Sequence, residues 1–462
     1  MPTKILKTIN PATELVLQEY LILNAAEIET AVITAQLAFT AWKKTTFAHR
    51  RQLLLNLEKL LYQRKEEYAS LIAAEMGKPI SAGVLEIEKC AKLCAHYAEH
   101  GEYYLSARLI KTEMHKAFVC YQPQGVVLAI MPWNFPFWQI LRAAIPAIMA
   151  GNVVIVKPAP ITIGTSKKIT ELFLLAGFAN GVLQSLVLDN ALTLKLIAHK
   201  YIRGVTFTGS VETGKIIAMH AGKWLKKSVL ELGGNDPYII LADADLDLVA
   251  DCIVTARLNN CGQVCIAPKR AIVVQSVHDN LVTKIIDKMS DYQMGDPQLA
   301  TTNLGPMARA DLRNKLQKQV LATIKAGAKL VMGGKIPRRL GFYYPPTLLL
   351  NVKPAMPAFS EELFGPVISI STAIDEAEAI KLANDSLYGL GGGVFTNNIV
   401  HGEQIAKNDI EVGVCFVNGS VHSDPRLPFG GVKHSGFGRE LSREGILEFV
   451  NVKTIAINDG IV

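Results

Sequence analysis

The sequence predicts an α/β protein with two successive parallel-sheet units behind a helical N-terminal part. Three observations predict it. Apolar residues recur at helical spacing through the first hundred residues. From residue 125 onward, short apolar runs alternate with amphipathic segments, the grammar of right-handed strand–helix–strand units. And 462 residues, 50% of them apolar, can bury large cores without disulfide or metal staples. The length sets a soft prior of about three domains, or two large ones.

Ile28, Ala31, Ala35, Phe39 and Trp42 fall on one helical face. Leu53, Leu57, Leu60, Leu61, Tyr68 and Leu71 continue the pattern in a second segment, and a third helix runs over about 81–105. The apolar run 125–131 then opens the strand series. A helix over 139–150 precedes a strand over 153–156, and a helix over 165–176 precedes a strand over 182–188. A helix over 192–199 leads to a strand over 205–208, a helix starts near Val211, and 228–232 is again strand-like. After Pro237 a second series begins, with strands over 271–275, 330–332, 367–372, 393–396 and 414–418. The apolar strand over 449–457 has no obvious partner in that series; it pairs either with 117–121 or with another subunit.

Lys+Arg 48 against Asp+Glu 41 leave a net charge of +7. The basic pairs are scattered, so they read as solvated surface and exclude a nucleic-acid stripe. Seven cysteines, an odd number, and no secretory apolar core after Lys4 and Lys7 point to free thiols in a reducing compartment, the cytoplasm. The uncharged stretch 117–141 is long enough to span a bilayer, but Pro123, Pro132, Pro136 and four amide side chains would leave polar groups in lipid. No membrane partner is expected.

Four runs carry chemistry. In Phe207-Thr208-Gly209-Ser210-Val211-Glu212-Thr213-Gly214-Lys215 a strand enters a glycine turn and a helix leaves it, so helix-start N–H groups can meet a phosphate. A P-loop would need Ser or Thr after the lysine, where Ile216 stands. A dinucleotide site and a plain packing turn both remain open. In Glu231-Leu232-Gly233-Gly234-Asn235 a carboxylate ends a strand on the sheet edge where such folds hold ligands; it reads as a general base or as a structural ion pair. In Asn259-Asn260-Cys261-Gly262-Gln263-Val264-Cys265 a cysteine among polar residues is a candidate nucleophile, against the ordinary reading of a small core hydrophobe. No second Cys/His pair makes this a zinc site, and Cys90, Cys94, His96 and His100 read as core packing. No metal is expected. In Met131-Pro132-Trp133-Asn134-Phe135-Pro136 two prolines fix a loop whose strongly polar side chain, Asn134, can donate to a developing oxyanion or satisfy its own turn.

These runs, in this order, resemble the aldehyde dehydrogenase superfamily. The resemblance continues in Val156-Lys157-Pro158, Glu362-Leu363-Phe364-Gly365-Pro366-Val367, and Pro428-Phe429-Gly430-Gly431-Val432-Lys433 with Ser435-Gly436 and Gly438-Arg439-Glu440, and covers about Asn10 to Lys453. It implies a Rossmann-like NAD(P)-binding domain (1–112 and 129–234), an α/β catalytic domain (235–440) and a small β oligomerisation element (113–128 and 441–462). The partners implied are a small-molecule aldehyde and a second copy of the chain, in a homodimer or homotetramer. By matching motif, Cys265 is the nucleophile, Asn134 with the Cys265 N–H forms the oxyanion hole, and Glu231 is the general base. Glu362 holds the nicotinamide ribose and Phe364 packs near the ring. Lys157 meets the adenosine ribose, Ser210 lies near the pyrophosphate, and Trp133, Gly209 and Gly214 belong to the same cofactor site. The 449–457 strand would extend a neighbouring subunit's sheet.

Within the family the chain resembles bacterial succinate-semialdehyde dehydrogenases, through the runs Trp133 to Arg142 and Ser423 to Gly431. Arg142 matches an arginine that binds the substrate carboxylate, with Trp138 and Ser423 as further substrate contacts. Asn259 stands where some members carry a second arginine, and Ala267 where some carry a redox-paired cysteine. Pro160 replaces a glutamate that in NAD-preferring members repels a 2′-phosphate, so NADP use is expected beside NAD, with Lys157 and Lys167 or Lys168 near the phosphate. The alternative is the same class of enzyme with another short semialdehyde or a hydroxyaldehyde.

Overall fold

A computed structural model describes residues 5–458; the outermost ends of the expected domains, 1–4 and 459–462, lie outside the described residues. The strand–helix alternation resolves into two large sheets, each with its own buried cluster of aliphatic side chains. The first sheet has the order Gly436–Phe437, Lys227–Glu231, Ile202–Thr208, Val126–Ile130, Val153–Lys157, Leu183–Ser185. Its strands run parallel apart from Gly436–Phe437. Val126–Ile130 and Val153–Lys157 are buried at every position, as expected of strands covered by helices on both faces. The chain moves outward from Val126–Ile130 to Val153–Lys157, then returns to add Ile202–Thr208 on the other side. That reversal opens a crevice at the carboxyl ends of these strands.

The second sheet has the order Lys329–Met332, Thr347–Leu350, Val367–Ala373, Pro268–Val274, Asp236–Ile240, Gly391–Phe395, Val414–Val417, and only its first strand is antiparallel to its neighbour. Two of these strands, Asp236–Ile240 and Thr347–Leu350, escape the sequence reading because each is short and follows glycine or proline punctuation.

The N-terminal helices cover the first sheet. Asn24 opens helix Ala25–Trp42 with a capping box closed by Glu27, and Val32, Ala35, Phe39 and Trp42 face the core. The expected second segment is two helices, Phe47–Gln63 and Lys65–Met76, broken at Arg64 (φ −117°). One non-helical residue leaves the apolar residues almost in phase, which hides the break. The hairpin Ile5–Ile9/Val16–Leu21 is also unpredicted: it lies mostly exposed, so no apolar alternation marks it.

A third sheet joins Val450–Ile457, Lys116–Pro123 and Arg108–Ile110, all antiparallel. The strand left unpartnered by sequence thus pairs within its own chain, from Val450↔Pro123 to Ile457↔Lys116. Three strands cross the expected domain limits. Val126–Ile130, a central strand of the first sheet, begins inside the expected 113–128 oligomerisation element. Gly436–Phe437, from the 235–440 stretch, pairs with Leu230 and Glu231 of the first sheet. Arg108–Ile110, expected in the cofactor domain, joins the small sheet. Among the described residues no helix is long and apolar enough to cross a membrane.

Candidate active site

The crevice at the carboxyl edge of the first sheet is a cavity of about 690 Å³. Its walls come from four strand ends: Met131–Asn134, Lys157–Pro160, Thr208–Ser210 and Leu232–Gly233. The second sheet's side contributes Cys265, Glu362 and Phe364. Lys157 and Pro160 therefore share one cavity with Trp133, Asn134, Gly209, Ser210 and Cys265. Ser210 caps helix Val211–Lys223, its Oγ accepting from the Thr213 N–H. The N–H groups of Val211 and Glu212 have no acceptor within the helix, and both residues line the cavity. These residues fit a dinucleotide: a buried ammonium at Lys157, free N–H groups for a pyrophosphate, and a far end walled by Trp133 and Phe364, whose rings stand 5.8 Å apart and nearly perpendicular.

The loop that carries Cys265 is held from three sides. Asn260 and Cys261 adopt left-handed backbone (φ 50° and 54°), and Gly262 follows at 68°. Gly262 is required by space as well: a Cβ there would sit 2.1 Å from the Gly365 carbonyl oxygen. This close approach presses the cysteine loop against the Glu362-to-Val367 run. Arg257, fully buried, ties the two together, donating to the carbonyls of Gly262 (3.2 Å), Leu363 (2.6 Å) and Val367 (2.6 Å). On the other side Asn134 Nδ2 donates to the Gln263 carbonyl at 3.0 Å, and Asn260 Nδ2 donates to the Asn134 carbonyl at 2.8 Å. The second Nδ2 proton of Asn134 remains for an oxyanion. Lys269 completes the clamp, donating to the carbonyls of Val264 (3.0 Å) and Cys265 (2.5 Å), with Glu362 Oε1 at 3.6 Å. Sequence reasoning missed Arg257 and Lys269. Their signal was present: between Asp251 and Lys269, Arg257 is the sole charged residue of a stretch that must hold a loop.

Cys265 is half-buried, whereas Cys261, Cys90 and Cys94 are buried. Burial pushes the Cys265 thiol up to about 11, against the opposing pull of Lys269 and Arg142. Glu231 is buried beside the cavity, and its Oε1 has no hydrogen-bond partner among the described residues. Burial raises its pKa well above the usual carboxylate range; the negative charge of Glu440 adds to this, and Arg142 and Arg439 oppose it.

Arg142 is the residue expected to bind the substrate carboxylate. It is buried in an ion pair with Glu440, its guanidinium 4.9 Å from the Phe429 ring centroid, and it does not line the cavity. The physical reason is burial: a guanidinium inside the core must be paired. Arg142→Ala should therefore cost about 3–5 kcal/mol of stability by stranding Glu440. Burial raises the Glu440 pKa, and losing Arg142 removes the main charge opposing that rise, so the folded variant holds this proton more tightly than the unfolded chain does. Stability of the variant should thus fall further as pH rises. Melting curves across pH check this; an unchanged melting temperature would refute it.

Other expected residues also lie away from the cavity. Gly214 packs against Leu232 one turn into its helix. Trp138 is buried on helix Pro136–Met149, and Ser423 is buried nearby; Lys89 joins them, through a hydrogen bond to Ser423 Oγ and by lying over the Trp138 ring. Lys167 lies over the Tyr20 ring and Lys168 pairs with Glu171, so neither faces the nucleotide end.

A thiol, an amide and carboxylates gathered around a dinucleotide-shaped cavity make up the site of an NAD(P)-linked oxidoreductase. The sequence matches the Aldehyde dehydrogenase family over residues 2–455, and the chain belongs to that family. It is 45% identical over 448 residues to the Escherichia coli K12 protein named succinate semialdehyde dehydrogenase, NAD(P)+, Sad, covering 97% of each chain. It is 44% identical over 450 residues to a Synechocystis protein named "Probable succinate-semialdehyde dehydrogenase", NADP(+), covering 97% of this chain and 99% of that one. Among solved structures, the succinic semialdehyde dehydrogenase of Streptococcus pyogenes in complex with NADP+ superposes with a TM-score of 0.96 at 36% identity, covering 98% of this chain and 100% of that one.

Proposed function

We propose that the chain oxidises succinate semialdehyde to succinate and accepts NADP+, in the cytoplasm, as a homodimer or homotetramer. One observation carries the chemistry: Cys265 and Asn134, tied through Gln263, line one cavity together with Lys157. The substrate reading is supported by relatives at 44–45% identity over nearly the full length of both chains.

Cys265, its thiol proton given up to solvent, attacks the aldehyde carbon as the thiolate, and the carbonyl oxygen takes the negative charge. Asn134 Nδ2 and the Cys265 N–H stabilise that oxygen. When bound, NADP+ supplies the acceptor for the hydride that leaves as the C=O bond reforms. Glu231 removes a proton from water, which adds to the resulting thioester; the C–S bond breaks and the acid departs. Glu362 and Phe364 position the cofactor's reactive end, and Lys157, Gly209 and Ser210 hold the rest. For domains, the 1–112 and 129–234 segments form the cofactor unit and 235–440 the catalytic unit, with the strand exchanges described above. Segments 113–128 and 441–462 make the oligomerisation element. Its outer strands carry exposed Leu109 and Val452, which a second subunit would cover.

The residues lining the nucleotide end beside Lys157 are Ala159, Pro160, Asn190, Thr193 and Leu194, none of them acidic. Asp189, whose charge acts on Lys157, turns its carboxylate to the Leu192 N–H at the start of helix Asn190–Ile197, so no carboxylate lines the cavity beside Lys157 and NADP+ should be turned over. A panel of aldehydes with both cofactors, scored by kcat/KM, tests the proposal. Strict dependence on NAD+ would overturn the cofactor assignment, and a preference for uncharged aldehydes the substrate assignment.

A further inference from the structure

We propose that Lys89 holds the substrate's carboxylate and so selects an aldehyde that carries an acid at its far end. This deepens the function proposed above and rests on it.

The position follows from how two helices meet. Glu86, on helix Ile80–Tyr104, accepts the N–H groups of Phe137 (2.9 Å) and Trp138 (3.0 Å), so this helix caps the start of helix Pro136–Met149. Lys89 stands three residues on and one turn along the same face. Its Nζ lies 4.2 Å from the Trp138 ring centroid and donates to Ser423 Oγ at 2.7 Å. Trp138 follows Asn134 by four residues, and Asn134 is bonded to the loop of Cys265. Lys89, Trp138 and Ser423 therefore form a group outside the cofactor cavity, joined to the Cys265 loop through the turn that carries Asn134.

Charge pairing singles Lys89 out. The neighbouring cations already have carboxylates: Lys78 has Glu86, Arg142 has Glu440, and Arg426 has Asp424 at 2.6 Å. Among the described residues no carboxylate forms an ion pair with Lys89. Its partners are a hydroxyl and an aromatic face, both of which leave its charge unneutralised. Burial lowers its pKa to about 8, the Arg142 charge adds to this, and Cys90, Glu86 and Asp424 work against it. At neutral pH the group is still mostly cationic. A partly desolvated cation without an anion gains most from a carboxylate brought to it, and Ser423 stands ready to donate to the same carboxylate. Arg142, held by Glu440, then acts through its charge, which reaches both Lys89 and Cys265.

The test compares succinate semialdehyde with butanal for the wild type, Lys89→Met and Lys89→Arg, with melting curves alongside. In Lys89→Met the ratio of kcat/KM for the semialdehyde over butanal should fall on the order of 10–100-fold, mainly through KM. Lys89→Arg should keep most of the ratio, since it restores the charge. If methionine prevents folding, Lys89→Gln, which can still donate to Ser423, serves the same comparison. A ratio unchanged from the wild type, or equal losses on both aldehydes, would overturn the assignment of Lys89 while leaving the substrate proposal intact. A wild-type enzyme that does not favour the semialdehyde over butanal would overturn both.

Discussion

Cys265→Ala is expected to abolish aldehyde oxidation, on the order of 10⁴-fold or more in kcat, while NADP+ still binds. The expectation follows from position. Of the buried or half-buried thiols near the sheets, Cys265 opens onto the cavity and has the Asn134 amide bonded to its own loop. The loop would keep its shape in the variant, because what holds it acts on backbone carbonyls: Arg257 on Gly262 and Lys269 on Val264 and Cys265. Cofactor affinity, followed by fluorescence titration, should change little. Cys261→Ala is the internal control. Cys261 faces the core of the second sheet, and burial keeps its thiol protonated. The variant should lose some stability and retain most turnover. Full activity in Cys265→Ala would sink the mechanism.

What could be read from the sequence, and what could not, follows a physical division. Residues such as Cys265, Asn134, Lys157 and Glu362 sit at strand ends or in loops whose glycines and prolines mark them, so local grammar points to them. Arg142 was equally visible as an arginine in a motif, but its partner Glu440 lies far downstream and only folding brings them together. Motif matching carries a residue type across, and not the state of its charge. Lys89 was invisible for the opposite reason. At helical spacing among charged neighbours it looks like a solvated lysine, and only the docking of two helices turns it inward beside Trp138. The hairpin at Ile5–Leu21 left no trace because exposed strands need no apolar alternation.

Glu231→Gln should separate the two halves of the reaction. The substitution keeps shape and packing, which matters because Glu231 is buried and Gly430 leaves it little room: a Cβ on Gly430 would come within 2.9 Å of Glu231 Oε1. Hydride departure needs only the thiol and the oxyanion donors, so one equivalent of reduced cofactor per site should still appear in a rapid-mixing experiment. Deacylation needs a base for water, and steady turnover should drop by about 10²–10⁴-fold. Mass spectrometry of the quenched variant should find the acyl group on Cys265. The pH dependence carries a second signature. In the wild type, burial and the nearby Glu440 raise the Glu231 pKa above the usual carboxylate range. The base form grows as pH rises through that raised pKa, so the wild-type deacylation rate should climb with pH, while the residual rate of Glu231→Gln should lack that climb. Glu440→Gln, which removes the neighbouring negative charge, should move the wild-type climb to lower pH. Normal steady turnover in Glu231→Gln without a burst would mean that another group, or solvent alone, delivers the water.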